Sequence, residues 1–505
     1  MAALFWYGVI AISALLLGLL LAMDQFAIAA LVAGFGWLVL LPYHTRLSLY
    51  LATITFSSAL ILPYMPGRPY LWEFAAMLAW TGLPISISLR KYPLRFGETL
   101  RENRWLFVGI AIYCVVLGIT MVMRGFGLRI LGSGQMGGRF YIQQFLCAIF
   151  PLLFSACRVE EKTFVRLYAL QWLMTVTYLV SDFVFSGAAG KLLVLLQFFE
   201  LPNDALAFEI QSMRFGVRRF QSLGFVGQGL IFVLLISNSL RSFFSQRGFW
   251  LLPLTGAILV GSLLSGHRAI LVGLAITLLI YSWTCRFLSA RHVIVGCVAA
   301  ALAIGAIYLT SERLPQAAQR AVSMLPGLKV DALVAVDASS TMWARKTLFN
   351  VGLTMIPEYF WLGRGFARYL DDYSNSWDNT TIMFHINQGK FYNGFIGLMI
   401  NMGFFGTVGM LIFMFAGTRI AWRIIQHLRS HGCEDSFARA AGLVASLWMT
   451  NVFSFLFLHG DAEWAMKTFA LQAGLLILCH NLLRERLQTQ ALAESEPAVA
   501  VPVRE

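Results

Sequence analysis

The sequence predicts an all-α fold: a polytopic transmembrane helical bundle of about 12–14 spans with one large, partly helical loop outside the cytoplasm. Three observations predict it. Of the 505 residues, 58% are hydrophobic and only 12% are charged, too few charges to cover the surface of a soluble protein. Apolar runs of about 18–23 residues recur along the chain, each long enough for a helix to cross a bilayer. A polar stretch, Ser311–Lys390, interrupts them once, late in the chain.

Taken in order, the first run, 5–23, lacks a basic flank and a cleavage site and reads as a retained helix rather than a signal peptide. Runs at 26–43, 47–65, 71–89, 105–123, 141–157 and 167–186 come next, joined by short links. The run Lys191–Leu201 is too short to span and is expected to lie in the interface or dip into it. Further runs occupy 222–240, 248–265, 269–285 and 293–310, and after the polar stretch 391–417, 438–458 and 463–482. Residues 1–487 thus form one integral membrane domain. From Gln488 to Glu505 the chain is mostly Ala, Glu, Pro and Val without periodicity, which predicts a disordered cytoplasmic tail.

The net charge of +13 sets the orientation. Alternate links hold Arg46; Arg90, Lys91, Arg95, Arg101 and Arg104; Arg158, Lys162 and Arg166; Arg241 and Arg247; Arg286 and Arg291; Arg419, Arg423, Arg429 and Arg439. Basic residues stay on the cytoplasmic side of a membrane protein. Both termini are therefore expected inside and Ser311–Lys390 outside, and the basic balance does not call for nucleic acid. The seven cysteines are scattered without a CxxC pair, so no disulfide or metal framework is indicated.

The outside stretch has its own pattern. Asp337-Ala-Ser-Ser340 reads as a helix start, because short polar side chains accept the free N–H groups of a first turn. Trp343–Met355 continues as a helix, Pro357 stops it, and Gly363-Arg-Gly365 makes a tight turn. Asp371, Asp372 and Asp378 read as a solvated loop face rather than metal ligands.

Several arginines run against the charge bias, in links expected outside: Arg68; Arg124, Arg129 and Arg139; Arg214, Arg218 and Arg219; and Arg268. Headgroup anchoring or snorkelling is the plainer account of such residues. The alternative is convergence on an anionic substrate at the outer boundary, since a guanidinium stays charged and offers paired donors to a diphosphate. Arg268 sits in a tight hairpin, Ser265-Gly-His-Arg268, where a lone cation needs a partner or a wet cavity. Arg218 and Arg219 lead through small residues into a helix whose first N–H groups are free for phosphate oxygens, or simply anchor its entry. Gly394, Gly397, Gly403 and Gly406 allow close helix approach.

In this order the parts resemble the O-antigen ligase and O-antigen polymerase superfamily, bacterial membrane glycosyltransferases that use polyprenyl-diphosphate-linked glycans. The likeness covers roughly residues 105–480. It rests on the Ser265-Gly-His-Arg268 hairpin, the Arg219–Gln228 segment, then Arg345, Pro357, Gly363 and Gly365 in the loop, and a Gly-x-x-Gly beginning at Gly403. The resemblance implies an inner-membrane enzyme whose loop is periplasmic. Its donor would be a glycan on undecaprenyl diphosphate, and its acceptor lipid A core sugar or a second lipid-linked glycan, with no metal and no cofactor. Carried over by position, Arg268, Arg218, Arg219, Arg345, Arg139 and Asn393 would hold the diphosphate or substrate, with Arg268 also catalytic. The family's catalytic histidine lies eleven residues before this Gly-x-x-Gly, and here that position is Tyr392, with His385 seven residues upstream. A phenol with an ordinary pKa of about 10 is a poor base at neutral pH unless arginines lower it. His385 or Tyr392 would activate the acceptor hydroxyl, and the departure favours a polymerase or exopolysaccharide enzyme over a ligase. A polysaccharide flippase and a non-catalytic assembly scaffold are the competing classes; the absence of an internal repeat speaks against the transporter.

Overall fold

The computed structural model describes residues 25–40, 43–63, 67–89, 97–128, 133–184, 190–199, 222–245, 250–369 and 380–495, with isolated positions beside them. The described chain is almost wholly helical. Its first half runs α1 (Phe26–Leu40), α2 (His44–Thr55), α3 (Leu71–Leu89), α4 (Gly97–Glu102), α5 (Arg104–Arg124), α6 (Gly138–Cys147), α7 (Ile149–Ala156), α8 (Glu161–Leu173), α9 (Thr177–Phe183) and α10 (Ser222–Ser237). Then come α11 (Leu251–Leu263), α12 (Arg268–Thr284), α13 (Ala290–Thr310), α14 (Gln316–Val322), α15 (Ala332–Met355), α16 (Thr380–Gln388), α17 (Gly394–His431), α18 (Ser436–Phe453) and α19 (Ala465–Ser495). Two two-residue strands, β1 (Gln135–Met136) and β2 (Arg368–Tyr369), pair antiparallel.

Among the described residues, six helical stretches are long and apolar enough to cross a membrane: Arg104–Arg124, Gly138–Ala156, Ala290–Arg313, Gly394–His431, Ser436–Leu458 and Ala462–Leu492. Shorter apolar helices include Leu71–Ile85, Ser222–Ser237, Leu251–Leu263 and Arg268–Thr284. These mark the chain as a membrane protein. The expected run 47–65 is cut short, because α2 ends at Thr55 and residues 60–62 pair back with residues 69–71 through bonds such as Leu62 N–H to the Pro69 carbonyl, 2.9 Å. Pro63 and Pro69 lack the N–H that a continuing helix needs. Gly190–Gln197, the segment expected not to span, is a short 3-10 helix. Most of the first expected span and residues 200–219 lie outside the described residues.

Two further expectations differ from the structure. The helix of the polar stretch 311–390 starts at Ala332, not at Asp337. Its cap is Asp331, whose carboxylate accepts the Leu333 N–H at 2.8 Å. Asp337 lies a turn and a half in, buried, and is consumed by an ion pair with Arg320. The sequence predicts a disordered tail from residue 488, yet α19 runs on to Ser495, because Gln488–Ser495 is composed largely of good helix formers. Residues 496–505 lie outside the described residues.

The core sits where α5, α17, α18 and α19 meet. No hydrophobic drive exists between helices inside lipid, so association depends on close fit. Gly109 and Gly409 bring α5 against α17: a Cβ on Gly109 would lie 2.5 Å from the Phe413 backbone nitrogen. Gly417 leaves room for Trp448, whose indole packs edge-on against Phe413 and Phe469 and donates to Thr418 Oγ1 at 3.1 Å.

The links gather at two ends. At one, Arg484 pairs with Glu102, Arg486 with Glu161 and Asp435, and Arg439 donates to the last carbonyls of α10, Ile236 (3.0 Å) and Ser237 (3.2 Å). At the other, β1 pairs with β2, Phe140 meets Trp464, and Arg320 donates to the Gly266 carbonyl at 2.7 Å.

α17 is broken at Gly403, where φ is 66° and ψ is −172°. The carbonyls of Ile400 and Asn401 lose their usual helical partners there. They accept instead from the N–H groups of Arg364 (2.7 Å) and Gly365 (2.9 Å), while Phe404 N–H donates to the Phe360 carbonyl at 2.5 Å. The Gly363-Arg-Gly365 turn thus docks into the break. A side chain at 403 would both resist this φ and place its Cβ 2.5 Å from the Trp361 carbonyl oxygen. Gly403→Ala is expected to destabilise the purified protein by about 1–3 kcal/mol, read as a lowered thermal midpoint. Gly305→Ala, inside α13 and with its Cβ in open space, should not lower the midpoint and by helix propensity should raise it slightly.

Candidate functional site

The docked turn brings two arginines to α16. Arg364 donates to the Ile386 carbonyl at 2.6 Å, and Arg368 to the Asn387 carbonyl at 2.8 Å and to Asn401 Oδ1 at 2.9 Å. Asn401 in turn donates to the carbonyls of Gly389 (3.3 Å) and Gly397 (2.9 Å). These bonds hang α16 from the broken helix and fix the position of His385.

Tyr392 lies at the centre. Its φ of 53° is a left-handed conformation that a bulky residue resists, at a cost of about 1–2 kcal/mol. The Tyr392 N–H donates to Asp461 Oδ1 at 3.2 Å, which holds the backbone in place. The Tyr392 hydroxyl stands 3.2 Å from His385 Nδ1. The ring of His459 stacks on that of Tyr392 at 5.4 Å, and the Arg345 guanidinium sits over it at 5.5 Å.

The arginines are held from α14. Arg320 is buried and divides its guanidinium among the Asp337 carboxylate, the Gly266 carbonyl (2.7 Å) and Thr341 Oγ1 (3.2 Å). It clasps the 265–268 hairpin to α15. Arg268 Nε donates to the Arg320 carbonyl at 3.1 Å, while Arg268 Nη2 is buried without a hydrogen-bond partner among the described residues. Arg268 lies within the electrostatic reach of Arg320, Arg345 and Asp337. Burial pulls the Arg345 guanidinium below its usual value; Tyr392 and Asp461 push it back up and Arg320 pulls the same way as burial. An arginine so placed stays charged at neutral pH. Among the described residues no carboxylate lies within ion-pair distance, 4.0 Å, of Arg268 or Arg345. Arg345, beside the His–Tyr pair, and Arg268, within electrostatic reach of Arg345, are two half-buried cations without a carboxylate partner, an arrangement that can take an anion next to a proton acceptor.

The structure therefore brings together four of the residues singled out in the sequence: Arg268, Arg345, His385 and Tyr392. Asn393 is adjacent, and its amide is engaged at both ends: Oδ1 accepts the Ile396 N–H at 3.1 Å and Nδ2 donates to the Leu456 carbonyl at 3.2 Å, which caps α17. Arg139 is engaged elsewhere, in an ion pair of 3.0 Å with the buried Glu73, with its guanidinium 4.5 Å over the Tyr70 ring. Arg218, Arg219 and the aspartates 371, 372 and 378 lie outside the described residues. No group of three metal-ligating side chains occurs among the described residues.

Sequence patterns miss Arg320, Asp337, His459 and Asp461 as parts of the site. A signal for the last two exists: His459-Gly-Asp461 fills the short link between two apolar runs, the same context that draws attention to Arg268. A comparison with known proteins finds no matching family model and no matching curated protein.

Asp337→Ala strands the buried Arg320 guanidinium and is expected to cost about 3–5 kcal/mol, read as a lowered unfolding midpoint. Thr341→Val removes two hydrogen bonds, the one its hydroxyl accepts from Arg320 (3.2 Å) and the one it donates to the Asp337 carbonyl (2.9 Å), but leaves the ion pair in place and should cost less, about 1–2 kcal/mol.

Proposed function

We propose that the protein is a membrane glycosyltransferase of the O-antigen ligase or polymerase type, acting on undecaprenyl-diphosphate-linked glycan at the periplasmic face of the bacterial inner membrane. The observation that carries this reading is the Arg345 guanidinium over Tyr392, which meets His385, with Arg268 within electrostatic reach of Arg345 and neither arginine paired to a carboxylate among the described residues. Under it the chain has about 12–14 spans, both termini are cytoplasmic, and 311–390 is the periplasmic cap. The cap end carries the site; the opposite end carries Arg419, Arg423, Arg439, Arg484 and Arg486, as the distribution of basic residues requires.

The chemistry is set by the side chains. The acceptor hydroxyl oxygen attacks the anomeric carbon of the donor sugar. The bond from that carbon to the diphosphate oxygen breaks, and undecaprenyl diphosphate leaves with the bonding pair. Negative charge grows on the leaving oxygens, where Arg268 and Arg345 stabilise it more in the transition state than in the ground state. The acceptor proton passes to His385, because a neutral imidazole ring nitrogen can accept it. The Tyr392 hydroxyl fixes the imidazole orientation. His385 is thus the better candidate for the base, and Tyr392 the orienting group that stands where the resembled family has its histidine. The acceptor is lipid A core sugar for a ligase and a second lipid-linked glycan for a polymerase.

Deletion in the native host tests the reading, with the surface glycan resolved on a gel and the lipid-linked pool examined. Bare lipid A core with polymer left on the carrier identifies a ligase; single repeats in place of a ladder identify a polymerase. Restoring the chain as Arg268→Ala or Arg345→Ala should leave transfer about 100- to 1,000-fold below wild type, with lipid-linked repeats accumulating on the outer face. Repeats trapped on the inner face would make the protein a flippase. An unchanged glycan and pool would overturn the proposal for that pathway.

A further inference from the structure

At the far end of the molecule from this site, a groove of about 480 Å³ runs between α5 and α17. Its walls are apolar: Trp105 and Leu106 on one side, Leu411, Ile412 and Phe415 on the other. Both helices are of membrane-crossing length and composition, so the groove opens to the bilayer. Phe415 is 74% exposed and Trp105 54%, so neither wall is covered by another part of the described chain.

One end of the groove is different. Arg419 and Arg423 line it, four residues apart on one face of α17. Among the described residues neither has a carboxylate within ion-pair distance; Glu102, which with Asn103 also lines this end of the groove, has its carboxylate paired with Arg484. The opening therefore carries uncompensated positive charge. Trp105 lies at the same level, with the Arg104 guanidinium 5.4 Å from its ring, a placement typical of the headgroup boundary. From Leu411 to Arg423 the rise along the helix is about 18 Å, the reach of one extended acyl chain.

We propose that this groove is a binding site for an anionic glycerophospholipid, with one acyl chain along Leu411, Ile412 and Phe415 and its phosphate between Arg419 and Arg423. The chemistry commits the occupant. The wall takes hydrocarbon and the rim takes a phosphate; a zwitterionic headgroup would bring its own cation against two arginines, and an apolar protein segment would leave their charge unmet. The site is separate from the residues at the cap and does not depend on what they do.

The test uses the full chain in nanodiscs of phosphatidylcholine doped, at equal mole fraction, with dibrominated phosphatidylglycerol or dibrominated phosphatidylcholine. Bromine quenches a neighbouring indole, and the Trp105 contribution is the difference between wild type and Trp105→Phe. Quenching of Trp105 is expected to show about a ten-fold preference for phosphatidylglycerol. Arg419→Ala with Arg423→Ala should abolish the preference, and Arg419→Lys with Arg423→Lys should keep most of it. Lipid retained by the wild-type chain in native mass spectrometry, released from an equal mixture of the two lipids, gives a second reading that needs no variant and should show phosphatidylglycerol in excess. Equal quenching by the two brominated lipids, or a preference that survives the double alanine variant, overturns the proposal.

Discussion

The break in α17 at Gly403 is the constraint on which the half of the molecule around α16 depends. An unbroken helix satisfies its own carbonyls and presents only side chains to its neighbours. The break frees the Ile400 and Asn401 carbonyls deep in the bundle, where an unmet polar group is costly, and the Leu362–Gly365 turn meets them. That turn carries Arg364 and starts the segment that carries Arg368. Those two arginines, with Asn401, hold α16 and so His385. A backbone defect in one helix is thereby converted into a fixed position for a titratable ring on another segment.

The charges divide into two kinds. Arg320 is buried and fully used, its guanidinium shared among Asp337, Gly266 and Thr341. A buried cation treated in this way organises structure and leaves nothing for a ligand. Arg268 and Arg345 are less buried and lack carboxylate partners among the described residues. The first kind pins the hairpin that positions the second, since Arg268 hangs from the Arg320 carbonyl. Tyr392 adds local strain at the same point, held by Asp461, as is common where geometry serves a site rather than stability.

Much of this is legible in the sequence, for physical reasons that differ between elements. Arg104–Arg124 and Ala290–Thr310 are plain because apolar length alone determines a span. The Gly363-Arg-Gly365 turn is plain because each glycine is needed for its own positive φ. Arg268 stands out because a cation in an apolar hairpin is expensive. Asp337 misleads, because a short acidic side chain before Ser-Ser matches a helix cap, and only the fold reveals that Arg320 claims it. The end of α2 is overrun because hydropathy persists beyond Thr55 while Pro63 and Pro69 redirect the backbone. Gly403 is noticeable as a packing glycine, yet its break depends on a turn some forty residues upstream, a non-local fact. His459 meets Tyr392 only through the pairing of two helix ends, which periodicity cannot express.

If Arg268 and Arg345 together hold a diphosphate, purified protein must bind one through them. The measurement is equilibrium binding of undecaprenyl diphosphate to the full-length chain in zwitterionic nanodiscs, wild type against Arg268→Ala with Arg345→Ala. Two charge-assisted contacts predict a loss of about 100-fold or more in affinity, with the thermal midpoint nearly unchanged because neither arginine carries an ion pair that the fold uses. Equal affinity in the wild type and a folded double variant would mean that these two arginines do not hold the diphosphate.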